Sequence, residues 1–198
     1  MEKLNEDEVL DIYRSVGALL EGHFILSSGL HSRMYLQSAL VFSDYKIGEI
    51  LCINLSNLIR EKIDIHNVDL IVSPAMGGII VGYELSRHLG LKNIFAERKE
   101  GEFDIRRGFE IIKGQKVLIV EDIVTTGKSS LECFECVRDL GGEIVAEAAL
   151  INRGGSKIQL GVPLITLANL DIPNFDKNNI PEDLKNIVAI KPGSRPGT

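Results

Sequence analysis

The chain has 198 residues, of which 44% are hydrophobic and 25% are charged, a balance typical of a globular domain with a proper core. Its formal net charge of −6 argues against a surface that coats nucleic acid, and no apolar run approaches the roughly 20 residues that a membrane span needs. Three cysteines do not form a disulfide framework, and the acidic first segment is unlike a secretory signal, so we expect a cytoplasmic protein.

The first predicted element is an amphipathic helix. Its apolar residues recur at helical spacing from Val9 to Leu20. Asn5, followed by Glu8, has the pattern of a capping box, and Gly22 is suited to ending the helix. Strand-type stretches follow, and a second helix is predicted over residues 44–62.

Beyond the second helix the sequence alternates between strands and helices. Five short apolar runs have the length of strands covered on both faces: Val68–Val72, Asn93–Ala96, Val117–Val120, Ile144–Ile151 and Leu164–Leu167. Helical stretches separate several of them, over Ile79–Leu89 and Ser129–Leu140. The polar stretch between Glu97 and Lys116 is expected to be a hairpin. This alternation predicts an α/β fold with a central parallel sheet flanked by helices.

The segment Val117–Ser130, VLIVEDIVTTGKSS, carries the strongest chemical signal. Ligands of open α/β sheets bind at the carboxyl ends of strands, and here a hydroxyl- and glycine-rich loop leads from such an end into a helix. The unpaired N–H groups and the dipole of a helix N-terminus favour a phosphate. Glu121 and Asp122 suit hydrogen bonds from sugar hydroxyls, or a neighbouring metal ion. A ribose 5-phosphate satisfies both halves, whereas a plain turn with capping hydroxyls leaves the acids unexplained.

This segment resembles the phosphoribosyl pyrophosphate (PRPP) motif of the type I phosphoribosyltransferases. In that family the two acids meet the ribose hydroxyls and the loop binds the 5′-phosphate. The resemblance assigns PRPP binding to Glu121, Asp122, Ile123, Val124, Thr125, Thr126, Gly127, Lys128 and Ser129. It also implies the type I phosphoribosyltransferase fold over residues 1–198 as a single domain, with a small N-terminal hood contributed by about residues 1–40.

Three further segments resemble orotate phosphoribosyltransferases. They are the hood segment His23–Tyr35, the glycine loop in Asp69–Gly82, and Asn152–Gly155, where the family has an arginine for the orotate carboxylate. The resemblance places Gly77 and Gly78 at the pyrophosphate. It places Thr125, Arg153, Ser27 and Ser28 at the orotate. From the residues alone, a solvated loop for Arg153 and ordinary turns for the glycines and serines stay open as alternatives.

The loop cations depart from the best-described branch of that family. Ser27 and Gly77 stand where that branch has lysines, and the mobile loop is shortened. Arg98 and Lys99 remain and are assigned to PRPP binding, while the nearby Arg106 and Arg107 are candidates for replacement charge. The resemblance implies Lys99 and Asp122 as the catalytic residues.

The implied reaction is transfer of the 5-phosphoribosyl group from PRPP to orotate. It gives orotidine 5′-monophosphate and pyrophosphate, with Mg²⁺ as cofactor, in de novo pyrimidine biosynthesis. The resemblance further implies a homodimer in which the loop 98–107 closes over the partner's site. Two alternatives stay open at this point: a purine-base phosphoribosyltransferase and a non-catalytic regulator that senses PRPP.

Cys133 and Cys136 lie inside a predicted helix, which favours packing over redox or zinc chemistry.

Overall fold

The computed structural model describes residues 3–26 and 29–192. Its helices are α1 (Glu6–Ser15), α2 (Tyr45–Lys62), α3 (Gly78–Leu89), α4 (Lys128–Asp139) and α5 (Glu182–Lys185). Its strands are β1 (Leu19–Ile25), β2 (His31–Leu36), β3 (Leu70–Pro74), β4 (Lys92–Lys99), β5 (Glu102–Ile105), β6 (Lys116–Val124), β7 (Glu143–Asn152), β8 (Leu164–Asn169) and β9 (Asn174–Phe175). None of the helices in the described residues is long and apolar enough to cross a membrane.

Six strands form the central sheet, in the order β5-β4-β3-β6-β7-β8. Neighbouring strands pair in parallel except β4 and β5, which form an antiparallel hairpin. The predicted parallel sheet is therefore confirmed, and so is the hairpin between Glu97 and Lys116. All five residues of β3 are buried, as expected for a strand covered on both faces.

Alternation along the strands distributes the core between two layers of helices. Leu118 and Val120 of β6 belong to a buried cluster with residues of α1, α2 and α3. Val117 and Ile119 point the other way, into a cluster that contains Phe134 of α4. The carboxyl end of β6 thus lies between these two layers, and consecutive side chains there face different surroundings.

The hood is a separate three-stranded sheet in the order β1-β2-β9. Residues far along the chain complete it, because β9 pairs with β2 and Ile190 forms a parallel bridge with Phe24. The Ile25 N–H donates to the Ile190 carbonyl at 2.8 Å, and the Ile190 N–H donates to the His23 carbonyl at 2.9 Å. The hood therefore contains residues from well outside the N-terminal 40, in addition to those predicted.

The first helix is shorter than predicted. The capping box is confirmed, because the Asn5 side chain accepts from the Glu8 N–H and the Glu8 carboxylate accepts from the Asn5 N–H. The helix ends at Ser15, however, and Gly17 has a φ of 69° in the left-handed region that glycine tolerates best. Leu19 and Leu20 belong to β1, so the predicted end of the helix at Gly22 is wrong. Leu19 is a buried residue of β1, and its position in the helical spacing of apolar residues is a coincidence.

Candidate active site

The loop after β6 leads into α4 through a glycine. Gly127 is the N-cap of α4, with a φ of 75°, and a Cβ there would lie 2.9 Å from Leu160 Cδ2. The backbone angle therefore favours glycine, and a side chain here would also require Leu160 to shift. Within the described residues the cap has no side-chain hydrogen bond, while Thr126 Oγ1 accepts from the Lys128 N–H at 3.3 Å. Thr125 and Thr126 are exposed beside this helix end, an arrangement that suits an anion.

The two acids at the end of β6 face opposite sides of the sheet. Glu121 faces α4, where its Oε1 lies 3.5 Å from the Ser130 hydroxyl. Burial, the neighbouring carboxyl of Glu147 and that of Asp122 raise the pKa of Glu121 to about 8. Asp122 faces the α3 side and the hood. Burial also raises its pKa, although hydrogen bonds from backbone N–H groups and from Ser38 oppose that rise. The two carboxyls therefore lie in different surroundings, on opposite faces of the sheet.

The glycine loop before α3 packs directly against Asp122. A Cβ on Gly77 would lie 2.5 Å from Asp122 Oδ1, and a Cβ on Gly78 would lie 2.8 Å from the Val120 carbonyl oxygen. Gly77 is also the N-cap of α3 and has no side-chain cap among the described residues. The Asp122 carboxylate occupies the space in which any side chain at position 77 would begin. This contact explains why position 77 is a glycine here, whereas the best-described branch of the resembled family has a lysine.

We expect Gly77→Ala to raise the KM for PRPP by roughly 10- to 100-fold, because the new methyl group displaces the Asp122 carboxylate by about an ångström. Steady-state kinetics with PRPP as the varied substrate measures this effect. Gly142→Ala is the matched control, since its Cβ would also clash, 2.7 Å from Val137 Cγ1, but at the far end of α4. An unchanged KM in Gly77→Ala would show that the contact with Asp122 does not matter for binding.

A cleft of about 510 Å³ opens between the hood and the end of β6. It is lined by Ile25, Leu26, Leu30, Tyr35, Leu36, Asp122, Ile123, Thr125, Thr126, Arg153, Asn174 and Pro192. Apolar hood residues form one wall, and the loop after β6 forms the other. Its volume and its mixture of apolar walls with a few polar groups are typical of small-molecule sites.

Arg153 lies in the wall of this cleft. Its Nη2 donates to Ser32 Oγ at 2.9 Å and to Asn174 Oδ1 at 3.1 Å, both in the hood sheet. Its Nε is buried and has no acceptor among the described residues. Burial lowers the pKa of this guanidinium, which nevertheless stays charged at neutral pH. A half-buried cation with an unused donor favours an anionic partner over the solvated-loop alternative.

The arginines of the β4–β5 hairpin and of the chain that follows it all have acidic partners. Arg98 forms an ion pair with Glu132 of α4 and lies 4.2 Å from the Phe103 ring centroid. Arg107 donates to Glu97 Oε2 at 2.9 Å, and Arg106 lies 3.6 Å from Glu97 Oε1. These arginines are occupied within the hairpin and its neighbours.

The Lys99 side chain is exposed, and its ammonium has no hydrogen-bond or ion-pair partner in the part of the chain that the structure describes. It is thus the cation of this hairpin that is left available for a ligand. It lines a separate surface cavity with other hairpin residues, not the cleft that contains Asp122. The two predicted catalytic residues therefore line different cavities within this one chain.

Several predicted site residues do come together. Asp122, Ile123, Thr125, Thr126 and Arg153 share the cleft, and Gly77 touches Asp122 from the side. Ser27 and Ser28 lie outside the described residues, so their predicted contact with orotate stays a prediction.

Sequence reasoning assigned no role to two hood residues that hold Arg153. Ser32 belongs to a segment already singled out, so its position was a usable signal. Asn174 lies in a two-residue strand that has no pattern of its own in the sequence.

Comparisons with known proteins agree with this geometry. Residues 43–161 match the family model of the phosphoribosyl transferase domain. Orotate phosphoribosyltransferase of Methylobacterium sp. (strain 4-46) is 51% identical over 196 residues, covering 98% of this chain and 99% of that protein. The corresponding protein of Maricaulis maris is 51% identical over 192 residues, covering 97% of this chain and 98% of that protein.

Solved structures show the same fold at lower identity. The crystal structure of orotate phosphoribosyltransferase from Aeropyrum pernix matches with a TM-score of 0.68 and 24% identity, covering 82% of this chain and 93% of that one. The architecture, the cleft and the full-length similarity therefore lead to one conclusion: this chain belongs to the phosphoribosyl transferase family and, within it, to the orotate phosphoribosyltransferases.

Proposed function

We propose that the chain transfers the 5-phosphoribosyl group of PRPP to orotate, forming orotidine 5′-monophosphate and pyrophosphate in de novo pyrimidine biosynthesis. One observation carries the proposal: Asp122, Thr125 and Thr126, at the end of β6, share a cleft with Arg153 beneath the hood. The first group suits a phosphorylated ribose, and the arginine suits a base that carries a carboxylate. The one cleft therefore has complementary groups for both substrates.

Each part of the cleft has a distinct task in this reaction. The orotate ring nitrogen loses its proton to solvent and attacks C1 of the ribose, and the bond from C1 to the pyrophosphate oxygen breaks. Arg153 orients the base through its carboxylate, while Glu121 and Asp122 hold the sugar. Because charge develops on the departing pyrophosphate, a cation near that end lowers the barrier. Lys99 is the available cation of the hairpin, and we assign this task to it.

Mg²⁺ enters this scheme with PRPP. The ion prefers oxygen ligands in octahedral geometry and commonly binds substrate phosphates. Its positive charge neutralises part of the negative charge of those phosphates. The donor set at the end of β6 fits an ion carried by the substrate better than one caged by protein, because Asp122 packs against Gly77 and the pKa of Glu121 is raised to about 8. The one three-residue cluster of possible ligands in the described residues, Glu49, Glu84 and His88, lies on α2 and α3 and not in this loop. We therefore assign no protein ligand to the ion.

We further propose that the protein works as a homodimer. Met76, Ile80 and Tyr83 are 82%, 54% and 62% exposed, and their spacing places them along one side of α3 and the loop before it. Clustered apolar side chains of this kind are typical of protein interfaces. A second copy on this face covers them. It also supplies a cross-chain role for the hairpin 98–107, whose Lys99 does not line the cleft of its own chain.

A cytoplasmic location is part of the same proposal. All three cysteines are free thiols, and Cys52 and Cys133 are buried. Burial raises the pKa of both buried thiols, which keeps them protonated and unreactive. Unpaired thiols suit a reducing compartment.

A spectrophotometric assay tests the reaction. Mixing the protein with Mg²⁺, PRPP and orotate should give a time-dependent loss of orotate absorbance, and omission of PRPP or addition of a chelator should abolish it. Adenine in place of orotate is the matched control and should not react. Turnover with adenine but not with orotate would contradict the assignment of the base.

A further inference from the structure

Glu147 is an acidic residue in the middle of a buried strand. Its neighbours Ala146, Ala148 and Ala149 are fully buried, and Glu147 itself is 0% exposed. The Ser130 hydroxyl donates to Glu147 Oε1 at 2.8 Å, whereas Oε2 has no partner among the described residues. A carboxyl buried in this way destabilises a fold relative to an apolar side chain of similar size. Packing alone therefore does not explain glutamate at this position.

Glu147 lies next to the ribose acid Glu121 on the sheet. Ile119 of β6 pairs with Glu147 of β7, and Glu121 pairs with Ala149, so the two glutamates are diagonal neighbours on the face that α4 covers. Ser130 of α4 lies between them, 2.8 Å from Glu147 Oε1 and 3.5 Å from Glu121 Oε1. One hydroxyl thus connects both carboxyls.

The direction of the hydrogen bond matters. A serine hydroxyl donates one hydrogen and accepts through its lone pairs. Ser130 Oγ has two possible acceptors for that hydrogen, Glu147 Oε1 at 2.8 Å and Glu121 Oε1 at 3.5 Å. The shorter distance assigns the hydrogen to Glu147, and a protonated Glu121 can then donate to the Ser130 lone pairs. Burial raises the pKa of Glu147 to about 7. Burial also raises the pKa of Glu121, and the nearby carboxyls of Glu147 and Asp122 raise it further, to about 8. A single proton shared along this chain leaves one negative charge, hydrogen-bonded by Ser130, in place of two adjacent buried charges.

We infer that Glu147 is a positioning residue for PRPP: through the Ser130 hydroxyl it fixes the orientation of the Glu121 carboxyl. The inference rests on the proposed function, which has Glu121 meet the ribose. Ser130 directly follows Ser129 of the predicted phosphate loop, in the first turn of α4. Ser130 therefore lies beside the predicted phosphate loop as well as beside Glu121. Without Glu147, Ser130 would be free to turn and donate elsewhere, and Glu121 would lose its fixed partner.

Calorimetric titration with PRPP and Mg²⁺, without any base, tests this role directly. Glu147→Leu should weaken PRPP binding roughly tenfold, and Ser130→Ala should weaken it by a similar factor, because each removes the same oriented contact. The double variant should bind no more weakly than either single one, as expected for two residues that act in one chain. Glu147→Gln should stay within about threefold of the wild type, since its carbonyl oxygen still accepts from Ser130.

Stability separates positioning from a structural role. Glu147→Leu should be at least as stable as the wild type in chemical denaturation, because an apolar side chain replaces a buried carboxyl. Glu143→Leu, at the exposed start of the same strand, is the matched control and should bind PRPP normally. Wild-type PRPP affinity in Glu147→Leu, or an equal loss in Glu147→Gln, would overturn the inference. If Glu147→Leu does not fold, unchanged PRPP affinity in Ser130→Ala overturns it instead.

The same titration distinguishes this inference from the proposed function. A wild-type protein that binds PRPP but does not consume orotate overturns the function alone, because the affinities of the variants can still be compared. A wild-type protein that does not bind PRPP overturns both.

Discussion

Replacing Arg153 by alanine should raise the KM for orotate roughly 100-fold, because the carboxylate of the bound base loses its charged hydrogen-bond partner in a half-buried site. The KM for PRPP should change little, since the guanidinium is held by Ser32 and Asn174 of the hood sheet and not by the phosphate loop. Initial rates with each substrate varied in turn measure the two constants separately.

Two further variants show how Arg153 acts. Arg153→Lys keeps the positive charge but loses the planar fork, so an intermediate KM for orotate is expected. Ser32→Ala removes only a bond that holds the arginine in place and should raise that KM by a few-fold, as about one neutral hydrogen bond is lost. If Arg153→Ala raises both KM values equally, the arginine supports the hood in general and not the base in particular.

Replacing Lys99 by alanine should lower kcat roughly 100-fold or more, with a smaller effect on either KM, because its charge is needed most when pyrophosphate departs. Lys92→Ala is the matched control: it removes an exposed lysine at the other end of the same strand and should leave kcat unchanged. Equal losses in both variants would point to a general effect of charge and not to a specific cation.

A mixing experiment tests whether Lys99 acts across the proposed dimer. Hybrid dimers of Lys99→Ala and Arg153→Ala chains contain one site with both defects and one with neither, provided that the hairpin serves the partner's site. Such hybrids should recover roughly half of the wild-type rate per dimer, from one intact site of two. No recovery would show that each hairpin serves its own chain, or that hybrids do not form.

Local signals made the centre of this site predictable. A buried apolar run, two acids and a hydroxyl-rich loop occupy consecutive positions, so a single window of sequence contains the strand, the ligand groups and the start of the helix. The core strands were predictable for the same reason, since β6 and β7 are nearly continuous apolar runs. Here short-range pattern and tertiary structure agree.

Contacts between distant segments were not predictable. Ser32, Arg153 and Asn174 meet although 121 and 21 residues separate the arginine from its two partners. The link from Glu147 to Ser130 depends on the register of β7 against β6 and on how α4 lies over them. The helix predicted to reach Leu20 failed for a related reason, because pairing with β2 decided the conformation of Leu19 and Leu20.

The composition of the hood has a consequence for synthesis of the protein. The glycine loop, the loop after β6 and α4 all lie within residues 70–139, so the chain that forms the phosphate end is made early. The base-side wall also needs Asn174 and Ile190, which leave the ribosome much later. A nascent chain paused before residue 174 therefore has the segments for a ribose phosphate but lacks part of the wall for a base. Selectivity for the base is the last property that translation completes.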